Sequence, residues 1–245
     1  MSHAGIAGMR CAAEDIITVG SGLSEREWRT HSAAAGWTVH DVVIHVGALL
    51  EVLQVAERRD WDTARTLDNL HKQLDQALPV FSSFQEEPLA SVETQMLDLG
   101  SHPLHSIADM FTFDMTTHLR YDIIAPRRPI ARRLPALDEV HLAPSVSWLL
   151  GGIATMQPDL ASHLTAPVVL RLTGPGAQDV LISAEAETIT VEPLNSAGNN
   201  AAATLTSTSE DFLAWSTTRL PWRQLVSIDG DPIVAAAFLD ALNLV

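Results

Sequence analysis

Residues 36–59 read GWTVHDVVIHVGALLEVLQVAERR. Thr38 has the side chain of a good helix N-cap, and Asp41 falls in the first turn, where a negative charge suits the helix dipole. From there Val42, Val46, Leu49, Leu50 and Leu53 recur at helical spacing and form one inward stripe. His45 adjoins that stripe. An imidazole so placed is costly to bury unless it is hydrogen-bonded or coordinated.

The same periodicity runs outward in both directions and predicts four long helices in the first two thirds of the chain. One spans residues 4–19, the second is the segment quoted, and the third is WDTARTLDNLHKQLDQAL, with Leu67, Leu70, Leu74 and Leu78 inward until Pro79 breaks the pattern. The fourth spans residues 103–123 and is followed by Pro126 and Pro129. LSEREW carries a capping box, Ser24 with Glu27, that starts a short helix. A further helix is expected near SVSWLLGGIATM, residues 145–156.

From about Pro167 the period changes. PVVLRLTG, QDVLISA, ETITVEP and AATLTST are short, rich in β-branched residues and separated by turn formers, so an antiparallel sheet is expected. SEDFLAWSTTR and DPIVAAAFLDAL then read as helices, the latter with Asp231 as N-cap and Pro232 at its first position. The expected fold is therefore a four-helix bundle over residues 1–155 followed by a small α+β domain over residues 166–245, with the boundary in MQPDLASHLTA.

A formal net charge of −15 over 245 residues argues against nucleic-acid binding, which needs a broad basic surface. Arg120, Arg127, Arg128, Arg132 and Arg133 are the local exception, read as a solvated segment or as a positive field for an anionic substrate. No apolar run is long enough to cross a bilayer, and the N-terminal residues lack the apolar core of a signal peptide, so a cytoplasmic protein is expected. Cys11 cannot form an intramolecular disulfide and reads as a small core filler.

In FTFDMTTHLRYD, residues 111–122, Asp114 and His118 lie four residues apart on one helical face with Cβ atoms about 6 Å apart, near enough to reach a single ion. An open metal site takes three protein ligands and leaves the remaining positions to water or substrate, and His45 is the best candidate for the third. The competing reading is a buried Asp–His hydrogen bond with no ion. His40, His102 and His105 are read as surface or capping residues.

These segments resemble known motifs. GWTVHDVVIHV is similar to the second-helix signature of the DinB-like metal proteins, in the branch typified by mycothiol-dependent maleylpyruvate isomerase, where the histidine at the position of His45 binds a divalent metal. DMTTHLRYD resembles the second motif of that family, with Asp114, His118 and Asp122 at its three polar positions, although the family usually has Glu where this chain has Asp114. The C-terminal part resembles the sterol-carrier-like domain that follows the bundle in this branch, including an arginine, Arg219, and a Gly-Asp segment, here DGDP.

The resemblance implies a divalent ion on His45, Asp114 and His118, with zinc suited to the donor set and nickel, manganese or iron also compatible. It further implies mycothiol as cosubstrate, Arg219 as a catalytic residue holding a carboxylate, and Asp122 either orienting His118 or pairing with an arginine. Trp37 is expected to pack between helices. The leading expectation is a thiol S-transferase acting on a small electrophile, with a maleylpyruvate-type cis-trans isomerase, a lipid- or small-molecule-binding protein with a vestigial metal site, and a metal-assisted hydrolase as alternatives. The expected protein is a monomer or homodimer with no membrane partner. The use of arginine over lysine, Lys72 being the one lysine, fits a GC-rich actinobacterial source.

Overall fold

A computed structural model describes residues 3–51, 58–96, 99–124, 130–194 and 200–244. The elements run in the order α1 (Ala4–Ser21), α2 (Glu25–Trp28), α3 (Val39–Leu49), α4 (Thr63–Ser83), β1 (Glu93–Gln95), β2 (Ser101–Pro103), α5 (Ile107–Thr117), α6 (Glu139–Thr155), β3 (Val168–Thr173), β4 (Asp179–Glu185), β5 (Thr188–Pro193), β6 (Ala203–Thr208), α7 (Ser209–Ser216), β7 (Ser227–Gly230) and α8 (Pro232–Ala241). The chain divides into two compact units, one of residues Met1–Val92 and Pro103–Ala136, the other of Glu93–His102 and Leu137–Val245.

The first unit is a helical bundle around α1, α3, α4 and α5. Met9, Ala12, Ala13 and Ile16 of α1 share its core with Val42 and Val46 of α3, Leu70 and Leu74 of α4, and Phe111 and Met115 of α5. Local signals set the helix starts. Thr38 Oγ1 accepts from the Asp41 backbone N–H while the Asp41 carboxylate reaches back to the Thr38 N–H, and Ser24 with Glu27 does the same for α2. The cap holds where the sequence places it, but α3 ends at Leu49, well short of the segment's end, and Leu53 lies outside the described residues.

Pro79 does not end its helix. It removes only its own amide donor, and α4 continues through it to Ser83, with Leu70, Leu74 and Leu78 buried as the stripe requires. The last expected helix of the bundle also differs from a regular one. A 3₁₀ turn over Leu104–Ser106 leads into α5, and at His118 the α-helix passes into a π-helical stretch, His118–Ile123. Ile124 N–H reaches back five residues to the Leu119 carbonyl at 3.1 Å.

The second unit is α+β. Its five-stranded sheet has the order β5-β4-β3-β6-β7. Neighbouring strands are antiparallel except at the centre, where β3 and β6 pair in parallel with Leu170 opposite Leu205. Val168, Leu170 and Leu172 of β3 and Ala203 and Leu205 of β6 are buried, as expected of central strands. β7 holds the Asp229–Gly230 part of the DGDP segment, and Asp231 accepts from the Ile233 and Val234 amides to cap α8. The helix over 139–155, expected in the bundle, is grouped with the second unit, as is the β1–β2 pairing, which the sequence reading did not anticipate. The described contacts thus divide the chain earlier than the 156–166 segment.

Among the described residues no helix is long and apolar enough to cross a membrane.

Candidate metal centre

Two elements of the first unit build the site. α3 carries His45, and α5 with the π turn that continues it carries Asp114 and His118. Each residue offers a ligand atom, and these atoms all lie within 4.8 Å of one another. His118 Nε2 is 3.4 Å from Asp114 Oδ1. The His45 and His118 rings meet edge to face at 5.3 Å between centroids. The convergence expected of these three side chains is therefore present.

The neighbouring residues fix the rings. His118 Nδ1 is 2.8 Å from Asp122 Oδ2, whose side chain is 2% exposed. The Asp122 carboxylate accepts the Nδ1 proton, so Nε2 is the nitrogen directed to Asp114 and His45. Of the two roles expected for Asp122, the structure shows the orienting one. The Asp122 backbone carbonyl also accepts from Ala33 N–H at 2.8 Å, tying the π turn to the loop before α3. That loop ends in Trp37, whose ring lies 4.8 Å from the His45 ring at an interplanar angle of 58°. Trp37 therefore acts as the packing wall of His45.

Burial and charge act on the two imidazoles in opposite senses. Burial lowers the His45 pKa; the Asp114 carboxylate opposes this and the His118 charge adds to it, leaving His45 below the ordinary histidine value and neutral near pH 7. Burial also disfavours a charged His118, but attraction and hydrogen bonding from Asp114 and Asp122 outweigh it and raise His118 to about 9. Without an ion, a proton on His118 offsets part of the charge of the two carboxylates. A divalent cation would take over that role.

The donor set fits such a cation. Two ligands each about 2.1 Å from a tetrahedral ion lie about 3.4 Å apart. The His118–Asp114 separation already has this value. The widest ligand separation in the cluster is at most 4.8 Å. Two imidazoles and one carboxylate form a borderline nitrogen and oxygen set suited to zinc and its first-row neighbours.

The other histidines lie elsewhere. His40 Nε2 is 2.8 Å from Thr66 Oγ1, and His105 Nδ1 is 2.9 Å from the Ala90 carbonyl. His102, expected at the surface or as a cap, is instead buried in the second unit, against the Leu99 carbonyl at 2.8 Å and the Trp148 ring at 4.4 Å. Tertiary stacking on Trp148 overrides the exposure that its place near a helix start suggested. Of the arginine cluster, Arg132 is spent on Glu27 at 2.7 Å, and Arg127 and Arg128 lie outside the described residues with Pro126 and Pro129. Cys11 is half-buried on α1.

Arg219 belongs to the second unit. It closes a Schellman turn after α7, donating its backbone N–H to the Ala214 carbonyl at 2.9 Å while Thr218 N–H reaches Trp215 at 3.1 Å. One polar group escaped the sequence reading. Thr117 is buried and its Oγ1 has no hydrogen-bond partner among the described residues. Its place three residues after Asp114 on the same helical face was the available signal.

Fold and site together define a class: a helical bundle bearing a two-histidine, one-carboxylate cluster, followed by a mixed α+β domain with a sheet. Residues 9–94 match the family model described as "Mycothiol maleylpyruvate isomerase N-terminal domain". Among solved structures, the crystal structure of the mycothiol-dependent maleylpyruvate isomerase is 16% identical, with a TM-score of 0.56 over 93% of this chain and 92% of that one. A point mutant of that isomerase aligns with a TM-score of 0.54 at 15% identity. At such identities these likenesses establish the fold. No curated protein matches the chain.

Proposed function

We propose that this protein is a divalent-metal enzyme that uses mycothiol, and that its reaction is a cis-trans isomerisation of the maleylpyruvate type. The observation that carries the reading is the convergence of His45, Asp114 and His118 within 4.8 Å. A divalent cation bound there would supply Lewis acidity that holds a thiol as its nucleophilic thiolate at neutral pH. His45, kept neutral by burial, offers a free lone pair without first losing a proton. Asp122 holds the His118 ring in register, and Asp114 contributes the negative charge that offsets the ion.

The chemistry needs no protein cysteine. The thiol adds to an activated carbon–carbon double bond, the resulting single bond rotates, and loss of the thiol restores the alkene with inverted geometry. Thiol and proton are returned, so mycothiol acts catalytically. Arg219 is assigned to a substrate carboxylate, which a guanidinium binds through paired N–H donors. Zinc is the preferred ion on the donor set.

The S-transferase reading shares every step up to addition and differs only in that the adduct persists. The fold relatives are described as isomerases, which supports isomerisation over transfer. The deciding experiment incubates the metal-loaded protein with mycothiol and a panel that includes maleylpyruvate, and follows both the alkene spectrum and free thiol. Isomerised product with thiol conserved supports the proposal, stoichiometric thiol loss supports transfer, and no change in either rejects both. Activity without any thiol would point to metal-assisted hydrolysis. This reading places the protein in the cytoplasm, where low-molecular-weight thiols are kept reduced.

A further inference from the structure

A cavity lies in the first unit, formed by α2, the first turn of α3 and the turn that leads into α4, with a volume of about 440 Å³. That is within the range of small-molecule sites. None of the three cluster residues lines it. On α3, His40 is five residues from His45 and so points well away from it around the helix.

Two tryptophans and a histidine stand among charged side chains in the lining. Trp28 is 2% exposed and packs behind the lining. Trp61 is fixed by guanidiniums over its ring, Arg65 at 4.1 Å and Arg58 at 4.9 Å. Arg58 is itself buried and paired with Glu51.

The rim carries charges of both signs, and two are unspent. Arg59, its side chain 55% exposed, forms an ion pair with Asp41, Nε lying 3.0 Å from Oδ1, and among the described residues it has no other ion pair and no side-chain hydrogen bond. An arginine held by Nε presents its Nη edge ready for a carboxylate. The adjacent Asp60 is exposed and makes no hydrogen bond or ion pair among the described residues. Other charges around the cavity are committed: Asp62 caps α4 through the Arg65 amide at 2.7 Å, and Glu25 meets Thr63 at 3.3 Å and Arg29 at 3.7 Å.

His40 adds an acceptor. Thr66 Oγ1 donates its one proton to the Asp62 carbonyl at 3.0 Å, so at the 2.8 Å contact His40 Nε2–H must be the donor. Nδ1 then carries the lone pair of a neutral ring. Burial keeps the ring neutral by lowering its pKa, against the pull of the Asp41, Glu25 and Asp62 carboxylates.

We propose that this cavity is a second ligand site, separate from the metal cluster, that takes a small zwitterion with an apolar body, the aromatic α-amino acids being the matching class. The ligand carboxylate lies on the Nη edge of Arg59, its ammonium on Asp60 and His40, and its ring beside Trp61. A simple anion would face Asp60 unpaired, and a simple amine would face Arg59.

The test is calorimetric titration of the full chain at low ionic strength with L-phenylalanine, L-tryptophan, 3-phenylpropanoate and 2-phenylethylamine. The amino acids are expected to saturate with a Kd of about 0.01–1 mM, and the acid and amine to bind at least about tenfold more weakly. Arg59→Gln and Asp60→Asn should each weaken amino-acid binding about tenfold or more while leaving zinc stoichiometry unchanged. Asp60→Asn is the cleaner variant because Asp60 supports no other group. The proposal is overturned if no amino acid saturates below about 10 mM, if the acid or amine alone binds as well, or if binding survives both substitutions.

Discussion

His118 and Asp122 face each other across the π-helical turn, with Nδ1 and Oδ2 2.8 Å apart and both side chains buried. Each imidazole nitrogen thus has an assigned direction, one to Asp122 and one to the cluster. Removing the carboxylate leaves His118 free to change tautomer and rotate. Asp122→Ala is expected to weaken zinc binding about 10- to 100-fold, while Asp122→Asn, which keeps an acceptor, should lose less. Zinc competition titrations against a chromogenic chelator will measure both.

His45 and His118 should separate metal binding from folding. The wild-type protein is expected to hold about one divalent ion per chain, and His45→Ala to lose it and to melt close to the metal-free wild type, because the neutral His45 leaves no buried charge unpaired. His118→Ala should also lose the ion, but it strands two carboxylates and should cost about 3 kcal/mol or more. Metal analysis and thermal unfolding of the same preparations check the pair. Full metal retention in His45→Ala would remove that residue from the ligand set.

Proton competition gives a third prediction. His118, raised to about 9, is protonated in the metal-free protein at neutral pH and must lose that proton to bind an ion. Apparent zinc affinity should therefore rise about tenfold per pH unit from pH 7 to near 9 and then level, with about one proton released per ion. Calorimetry in buffers of different ionisation enthalpy counts that proton. The metal-free fold behaves in the opposite sense. A histidine raised by its partners stabilises fully below its unfolded value near 6.5. That contribution is lost as pH climbs through about 9.

What the sequence made legible was local. The Thr38 cap, the Ser24 box, the Asp231–Pro232 start and the one-turn spacing of Asp114 and His118 depend on residues within about one helical turn of each other, and all recur in the structure. His45 needed one tertiary assumption, that the bundle turns its stripe inward. The π turn was hidden because a 3.6-residue reading admits no wider turn, and its trace is a backbone bond from Ala33, far away in sequence. The parallel pairing of β3 with β6 and the burial of His102 on Trp148 likewise arise from long-range packing that no local pattern encodes. Pro79 was overweighted: near the end of a long helix anchored by the buried Leu70, Leu74 and Leu78 before it, one missing donor costs less than the packing supplies.

Asp109 supplies a prediction away from the site. It lies in the first turn of α5, where that helix approaches α1 so closely that a Cβ on Gly5 would fall 2.2 Å from Asp109 Oδ1. Burial pushes its carboxyl up to about 7 from the ordinary 3.8. A carboxyl raised on folding imposes no cost while both states are protonated, below about 3.8. The cost grows between there and about 7, and is complete above it. Asp109→Asn should therefore gain stability relative to the wild type on going from pH 4 to pH 8, by on the order of 2–4 kcal/mol. Gly5→Ala should be destabilising at every pH by about 1–3 kcal/mol, because the backbone of α5 also lies within the new methyl's reach. Urea unfolding of both variants across that pH range distinguishes the electrostatic effect, which must change with pH, from the steric one, which must not; a pH-independent response to Asp109→Asn would refute the raised carboxyl.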